Sequence, residues 1–273
     1  MKEANPASRK HLEGVFCTTK KNGEVSYRSS LTYRRKHISL GSYRTEDAAH
    51  LAYRAASELV APGSRISLRD YEPSSPLPFE KWVVLLNFRD NGLYLGVPIY
   101  IRPRFFYYYL SPDQILKFDK DDLFYYASRK IMCRGSRYFV ADYGMQVSIA
   151  SRYGIRSYAV TEVDYRFRNG DPTDFRRENI EILNRFHGVR KIMKNGRCLY
   201  AARIHIRGNF LIGTYETDVE AAIAYNKAID ILRKKNVTKR FPPNYVEELS
   251  ARQYAELYSK VKISPRILSY CPP

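Results

Sequence analysis

The sequence predicts an α+β protein: two small three-stranded antiparallel sheets, each followed by one helix, flank a central α+β region. Three observations lead to this prediction. Two stretches of the chain first alternate like a β-strand and then continue with helical periodicity. Each stretch carries an Asn-Gly pair between strand-like runs, at residues 22–23 and 195–196, which is the strongest short hairpin signal. The two stretches also match each other, so one structural unit occurs twice.

The clearer copy runs from Gly188 to Lys235. Alternation in its central strand places two sets of side chains on opposite faces: Tyr200, Ala202, Ile204 and Ile206 on one, and Ala201, Arg203, His205 and Arg207 on the other. Thr217 and Glu220 form the pattern of a capping box at the start of a helix. The apolar positions of that helix, at helical spacing, are Ala222, Tyr225, Ile229 and Leu232. We therefore expect the helix to cover the apolar face and leave the Arg203 face free.

Charge is segregated in this copy. The whole chain carries a formal net charge of +18, and between Gly188 and Tyr215 there are six Arg or Lys and no acid. The acids begin only in the helix that follows. Such a surface favours a polyanion, and a β-ribbon fits the major groove of DNA. The basic residues predicted to bind DNA here are Arg190, Lys191, Arg197, Arg203 and Arg207.

The first copy, from Gly14 to Val60, is weaker but uses the same signals. Leu-Gly-Ser-Tyr at 40–43 parallels Ile-Gly-Thr-Tyr at 212–215, and Thr45 begins a helix. Its central strand is expected to place Tyr27, Ser29, Leu31 and Tyr33 on one face. Its predicted DNA-binding residues are Lys20, Lys21, Arg28, Arg34, Arg35 and Lys36.

Four short motifs of the second copy resemble the apetala/ethylene-response-factor (ERF) DNA-binding domain. They are Gly-Val-Arg at 188–190, Ala-Ala-Arg-Ile at 201–204, Leu-Ile-Gly-Thr-Tyr at 211–215, and Glu-Ala-Ala-x-Ala-Tyr at 220–225. The resemblance implies a sheet that is read into the major groove and packed on one helix. Carried over position by position, the DNA-facing residues are Arg190, Tyr200, Arg203, His205, Asn209 and Leu211. The plant form usually has Trp at the positions of Tyr200 and Leu211, and an acid at that of Arg203.

The region between the copies predicts further elements. The Pro- and Ser-rich residues 61–80 are expected to be a flexible linker that leaves the first copy mobile. Strands are predicted at Trp82–Phe88 and Tyr94–Ile101, and a helix from Ser111 to about Cys133, because Ser-Pro-Asp-Gln is a helix-start pattern. A short amphipathic helix is expected at 247–261. The predicted domains are a tail 1–12, the first copy 13–60, the linker 61–80, a central domain 81–186, the second copy 187–245, and a helix with tail 246–273.

Within the central domain, residues 138–184 resemble the core of HNH homing endonucleases, on the loop Asn-Gly-Asp-Pro-Thr-Asp-Phe-Arg-Arg-Glu-Asn at 169–179. HNH chemistry needs a histidine to activate water, and no histidine occurs between Leu51 and Phe186. Asp164 stands where that family has its histidines, and Phe175 where an Asn is usual. We therefore expect no catalytic residue, metal or cofactor, and read Asn179 as a residue that orders the loop.

These observations predict a sequence-specific double-stranded DNA-binding protein that regulates transcription and is intracellular, in the cytoplasm with the nucleoid. Four scattered cysteines predict neither a disulfide framework nor a zinc site. No apolar run is long enough for a membrane span, and no signal peptide opens the chain. Two alternatives remain: an HNH homing endonuclease with an atypical or lost active site, and an RNA-binding or architectural protein.

Overall fold

The computed structural model describes residues 11–19 and 23–272 and is α+β, which confirms the predicted fold class. The chain forms two compact units. The first runs to Ile149 and includes Pro172–Arg176, and the second holds Ala150–Asp171 and the chain from Arg177 onward. The described residues form four three-stranded antiparallel sheets and one two-stranded sheet. Because the predicted central domain contributes to both units, the units do not coincide with the domains expected from sequence. Of the predicted tail, residues 1–10 lie outside the described residues.

The first repeat is a sheet of order β1-β2-β3 followed by one helix. Its elements are β1 (Val15–Thr19), β2 (Val25–Tyr33), β3 (Lys36–Tyr43) and α1 (Glu46–Val60). Thr45 begins α1 as predicted, since its hydroxyl accepts a hydrogen bond from the Ala48 N–H at 3.2 Å. Three small side chains of α1 that are fully buried let the helix lie close to the sheet: Ala49, Ala52 and Ala56.

Residues 61–80 are packed, so the prediction of a flexible linker is wrong. Leu77 is fully buried in a hydrophobic cluster that also contains Leu40 of the first repeat and Leu85. The Trp82 indole N–H donates to the Ser67 carbonyl at 3.1 Å, and the Tyr43 hydroxyl donates to the Pro76 carbonyl at 3.1 Å. Pro and Ser favour irregular backbone, but the apolar side chains among them, with Leu77 fully buried, attach the segment to the repeat. The first repeat is therefore part of a larger core.

The predicted strand Trp82–Phe88 is instead the middle of a helix, α2 (Phe79–Asn91). All seven residues from Trp82 to Phe88 are buried, so the helix is covered on every side and shows no amphipathic period. A short continuous apolar run does not distinguish a buried strand from a buried helix. Gly92 ends α2 in the left-handed conformation, at φ 72°.

The predicted helix from Ser111 is also wrong, because Ser111 closes a turn between two strands. The sheet here contains β4 (Ile99–Ile101), β5 (Phe105–Tyr109) and β6 (Ile115–Asp119). The Ser111 hydroxyl accepts from the Gln114 N–H at 3.0 Å, which is the contact it would make as a helix cap. A serine hydroxyl accepts the same backbone hydrogen bond in a turn as at a helix start. Here the aromatic strand β5 pairs with β6, so Ser111 lies in the turn between them. The first unit continues with α3 (Leu123–Ala127), β7 (Ile131–Arg134), β8 (Arg137–Asp142) and β9 (Met145–Ser148).

The second unit contains the second repeat and the elements around it. Its elements are β10 (Tyr165–Phe167), β11 (Ile180–Ile182), β12 (Val189–Lys194), β13 (Arg197–His205), β14 (Asn209–Tyr215), α4 (Asp218–Lys234), α5 (Ala251–Lys260) and α6 (Pro265–Leu268). The capping box of Thr217 and Glu220 is present. The four predicted apolar residues of α4 are buried against the sheet.

The C-terminal segment completes the core of the second repeat. Phe241 and Ile267 are buried in the same hydrophobic cluster as α4. The Lys227 ammonium of α4 donates to the carbonyls of Tyr258 and Val261, both at 2.8 Å, and so caps the end of α5. α5 covers most of the region where sequence predicted a short amphipathic helix.

The two repeats share a fold in detail. In both, the register between the second and third strands shifts at the same point: between Ser29 and Ser30 in the first, and between Ala202 and Arg203 in the second. Both also hold the segment after the helix in the same way. Tyr43 donates to the Pro76 carbonyl, and its counterpart Tyr215 donates to the Lys262 carbonyl at 2.8 Å. The internal repeat read from sequence is thus present in three dimensions.

Candidate functional site

The outer face of the second repeat is the side of its sheet turned away from α4. From Ala202 to His205 the alternation along β13 is as predicted: Ala202 and Ile204 are buried, whereas Arg203 and His205 are exposed. Ala201, predicted on the same face as Arg203, is buried. Strand pairing brings further residues to the same face. Asn209 is opposite His205, Leu211 is opposite Arg203, and Arg190 lies on the other side of β13 opposite Ala201. The outer face is defined here by Arg190, Arg203, His205, Asn209 and Leu211.

The bulge in β14 determines which of its residues reach the outer face. Arg203 pairs with Leu211 and Ala202 pairs with Gly213, so Ile212 is the additional residue on β14. Ile212 is fully buried, whereas Leu211 is 47 % exposed. The bulge therefore turns Ile212 to the core and keeps an apolar side chain beside Arg203 on the outer face.

Polar contacts order part of this face. The His205 Nδ1 lies 3.0 Å from the Asn209 Oδ1, so the imidazole and the amide on neighbouring strands hold each other. The Lys239 ammonium donates to the His205 carbonyl at 2.7 Å. Lys239 follows α4 and was not among the predicted site residues. The dibasic pair Lys239-Arg240 in the sequence was the signal that could have indicated it.

A groove of about 440 Å³ opens beside the outer face, within the second unit. Its basic and polar lining combines predicted residues with new ones: Arg190, Arg203, His205, Asn209, Lys239 and Arg240. At its other side lie Tyr158 and His187, whose rings meet edge to face at 4.3 Å between centroids. Burial lowers the pKa of His187, and Asp164 opposes this shift. At neutral pH His187 therefore adds no positive charge to the groove.

Two predicted residues lie on the opposite side of the sheet. Lys191 and Tyr200 are directly paired and, by alternation from Ala202, are on the side of α4. Tyr200 packs against the hydrophobic core, in agreement with its apolar-strand position and against the carried-over DNA-facing role. Lys191 is exposed at the sheet edge. Arg197 and Arg207 are exposed near the two hairpin turns, one at each end of β13.

The first repeat places its basic residues differently. The Arg34 guanidinium donates to the Phe88 carbonyl at 3.0 Å and stacks over the rings of Tyr33 and Phe88. The Lys36 ammonium lies 5.1 Å from the centre of the Tyr94 ring. Both residues stay exposed, but their charged groups also contact rings of the first unit. Lys20 and Lys21 lie outside the described residues.

Arg28 and Arg35 of the first repeat are exposed. The register pairs Arg28 with Phe16, which is 57 % exposed, so these two share the outer side of that sheet. At the positions equivalent to Arg203 and His205 the first repeat has Ser30 and Thr32. Among its described residues the outer side is thus much less basic than that of the second repeat. The predicted inner face of β2 consists of Tyr27, Ser29, Leu31 and Tyr33. Ser29 and Leu31 are buried as expected, and the two tyrosines are half-buried.

The loop with HNH resemblance is held by structural contacts. The buried Asn179 accepts a hydrogen bond from the Asn169 N–H at 2.9 Å and donates to the Asp171 carbonyl at 3.4 Å. It orders the loop, as predicted. The Asp164 carboxylate accepts from the Val160 N–H at 2.9 Å and closes a turn. Phe175 is buried and stacks on Phe118, with 5.7 Å between ring centroids.

Asp174 in the same loop is almost fully buried between Arg176 and Lys117, at 2.7 and 3.6 Å. Burial alone raises the pKa of Asp174, but the hydrogen bonds from Arg176 and the charge of Lys117 outweigh it and lower that pKa. Within the part of the chain that the structure describes, no three His, Cys, Asp or Glu side chains are grouped as a metal-ligand set. None of the described helices is long and apolar enough to cross a membrane.

Comparison of the chain with family models, curated proteins and solved structures found no significant match in any of the three.

Proposed function

We propose that this chain binds double-stranded DNA sequence-specifically, through the outer face of its second repeat, and acts as a transcriptional regulator. The observation that carries the proposal is the grouping of Arg190 and Arg203 with His205 and Asn209 on one exposed sheet face. Lys239 and Arg240 extend the positive charge along the adjoining groove. An extended basic face of this kind suits the phosphate backbone on both sides of a groove.

The chemistry of the face suits base reading as well as phosphate binding. Arginine donates two hydrogen bonds to guanine, and asparagine pairs with adenine, in the major groove. Leu211 lies directly across from Arg203 and offers an apolar surface to a thymine methyl group. A two-stranded ribbon fits the width of the major groove, whereas side chains do not reach the bases in the major groove of RNA. These features favour duplex DNA over the alternative of an RNA partner.

The resemblance to the apetala/ERF domain supports the same function independently of charge. It concerns the repeat whose outer face is basic, and its DNA-facing set includes five residues of that face. We propose that the second repeat carries sequence preference. The first repeat, with Arg28 and Arg35 exposed, adds affinity through phosphates.

We further propose binding without cleavage, against the alternative of an active HNH endonuclease. Asn179 and Asp164 each make the structural contacts described above, and Phe175 is part of a core. These residues occupy positions that supply ligands or catalytic groups in the HNH family. Their observed contacts are those of a scaffold that positions a loop.

The decisive experiment compares two neighbouring cations on opposite sides of one strand. A binding site is first selected from random duplex DNA with the full chain, and Arg190→Ala and Lys191→Ala are then measured on it. We expect Arg190→Ala to weaken binding by ~1–3 kcal/mol if it reads a base, and to lower the salt slope by about 1 if it binds a phosphate. Lys191→Ala is the matched control, because the Lys191 side chain is on the opposite side of the sheet from the outer face. The substitution keeps the Lys191 backbone N–H, which donates to the Asn184 Oδ1 at 2.8 Å and holds the strand.

Equal effects of the two substitutions would show that the outer face is not the DNA-binding surface. A chain that selects no duplex sequence at all would remove the proposal of sequence-specific binding.

A further inference from the structure

The first unit contains a second basic surface, formed by segments outside both sheet repeats. A cleft of about 750 Å³ lies between residues 65–71, α2 and the β4–β6 sheet. Four arginines line it: Arg65, Arg69, Arg89 and Arg102. Of the described residues that line the cleft, Asp90 alone is acidic. Its volume is that of a small-molecule site.

Three of these guanidiniums are available to a ligand. Asp90 is already paired with Arg89 at 2.7 Å and also accepts from the Tyr100 hydroxyl at 2.8 Å. The guanidiniums of Arg65 and Arg69 make no hydrogen bond or ion pair with any residue that the structure describes, and both side chains are exposed. Arg102 is stacked over the Tyr100 ring at 4.9 Å. The cleft thus keeps an excess of positive charge that the protein itself does not neutralise.

Aromatic residues form much of the rest of the wall. Tyr71, Tyr107 and Tyr109 line the cleft together with Phe79. Edge-to-face contacts hold some of these rings in place: Tyr109 meets Phe79 at 5.8 Å and Tyr107 at 6.1 Å. Such rings offer stacking surface, and the arginines offer bidentate binding to phosphate oxygens.

Tyr109 brings a hydroxyl group to the wall of the cleft. The residue is 8 % exposed, and its hydroxyl makes no hydrogen bond with a described residue. The hydroxyl reaches solvent, so it is available to a group bound in the cleft. Burial raises the pKa of Tyr109 to about 12, so the hydroxyl keeps its proton and can donate at neutral pH.

We propose that this cleft binds a nucleotide, with its phosphate on Arg65 and Arg69 and its base against the tyrosine wall. The nucleotide is either free or part of a single nucleic-acid strand, and both share the same chemistry. The combination of aromatic wall and arginines favours a base-plus-phosphate unit over an acidic peptide, which has no ring to stack. The site uses none of the residues of the outer face of the second repeat, so it does not rest on the proposed duplex binding.

The experiment uses the full chain and follows fluorescence anisotropy of a labelled eight-residue oligothymidylate, with dTMP, dAMP and ATP as competitors. We expect Arg69→Glu to weaken binding of the oligonucleotide by about tenfold or more. Arg104→Glu is the matched control: it makes the same charge change at an exposed arginine of the first unit that does not line the cleft. Tyr109→Phe removes only the hydroxyl and should weaken binding about threefold or more while the fold is kept.

If the free nucleotides compete at micromolar concentration, the site binds a free nucleotide. If only the oligonucleotide binds, the site binds a single nucleic-acid strand. Equal loss with Arg69→Glu and Arg104→Glu would overturn the proposal, because the effect would then be one of net charge. Equally tight binding of a poly-glutamate peptide would also overturn it. Affinity of each variant for the selected duplex is measured in parallel, so that loss of duplex binding is distinguished from loss at the cleft.

Discussion

A single methyl group added at Gly188 should damage the candidate DNA face. Gly188 has φ +72°, and a Cβ added there would lie 2.5 Å from the Arg203 carbonyl oxygen and 2.5 Å from the Tyr225 ring. The Arg203 N–H also donates to the Gly188 carbonyl at 2.7 Å. Gly188, which immediately precedes β12, is thus in direct contact with the strand that carries Arg203, and the substitution Gly188→Ala must move one of them.

The expected cost has two parts. A non-glycine residue in the left-handed region costs ~1–2 kcal/mol, and overpacking in a tight core costs ~1–3 kcal/mol. Gly196 separates these parts, since it has φ +74° in the turn between β12 and β13 but nothing within 4 Å of the added Cβ. Gly196→Ala should therefore lose only the conformational part. The difference between the two variants in free energy of unfolding should be ~1–3 kcal/mol.

Urea denaturation followed by circular dichroism, with hydrogen exchange of the β12–β14 amides, measures this difference. Gly188→Ala should also weaken binding to the selected duplex, because it displaces the backbone of Arg203, whereas Gly196→Ala should bind nearly as the parent does. If the two variants unfold at the same urea concentration and exchange alike, the close approach of Gly188 to Arg203 and Tyr225 is not what holds this sheet.

Three further predictions concern other parts of the second unit. Asn244→Ala should lower the free energy of unfolding by ~2–5 kcal/mol, measured by urea denaturation, because the buried Asn244 amide satisfies both the N–H and the carbonyl of His187, at 2.7 and 3.0 Å. Burial lowers the pKa of His187 in the folded state, so the unfolded chain takes up a proton at higher pH than the folded chain does. The free energy of unfolding should therefore fall as the pH drops below about 6.5. His187→Gln should make that fall smaller in a series of denaturation curves at different pH. Plasmid and homing-site DNA incubated with the protein and magnesium, manganese or zinc should remain uncut; cutting that disappears with Asn179→Ala or Asp164→Ala would contradict binding without cleavage.

The candidate face was largely accessible from sequence because its signals are local. Alternation along residues 200–206 put Arg203 and His205 opposite the apolar residues, and the structure agrees. Alternation also placed Tyr200 on the apolar face, in agreement with the structure. The face of Lys191 needed the register of β12 against β13, which alternation within one strand does not give. The role of Lys239 was not visible in the sequence, because it depends on the chain after α4 returning to the sheet. There Lys239 contacts the His205 carbonyl, 34 residues earlier in the chain. Sequence also does not show that the exposed Arg34 and Lys36 contact the rings of Phe88 and Tyr94, which lie more than 50 residues further along the chain.

By itself, the sequence determined the α+β class, the repeated sheet-and-helix unit, and the helix starts at Thr45 and Thr217. Each depends on residues within one or two turns of one another, such as a cap, a hairpin pair or a helical period. Only the tertiary structure decided that Trp82–Phe88 is helical, that Ser111 closes a turn, and that residues 61–80 are packed. In those segments local signals are ambiguous, because burial on all sides removes the amphipathic period and one hydroxyl serves cap and turn alike. There the fold is decided by which distant apolar surfaces the segment can cover.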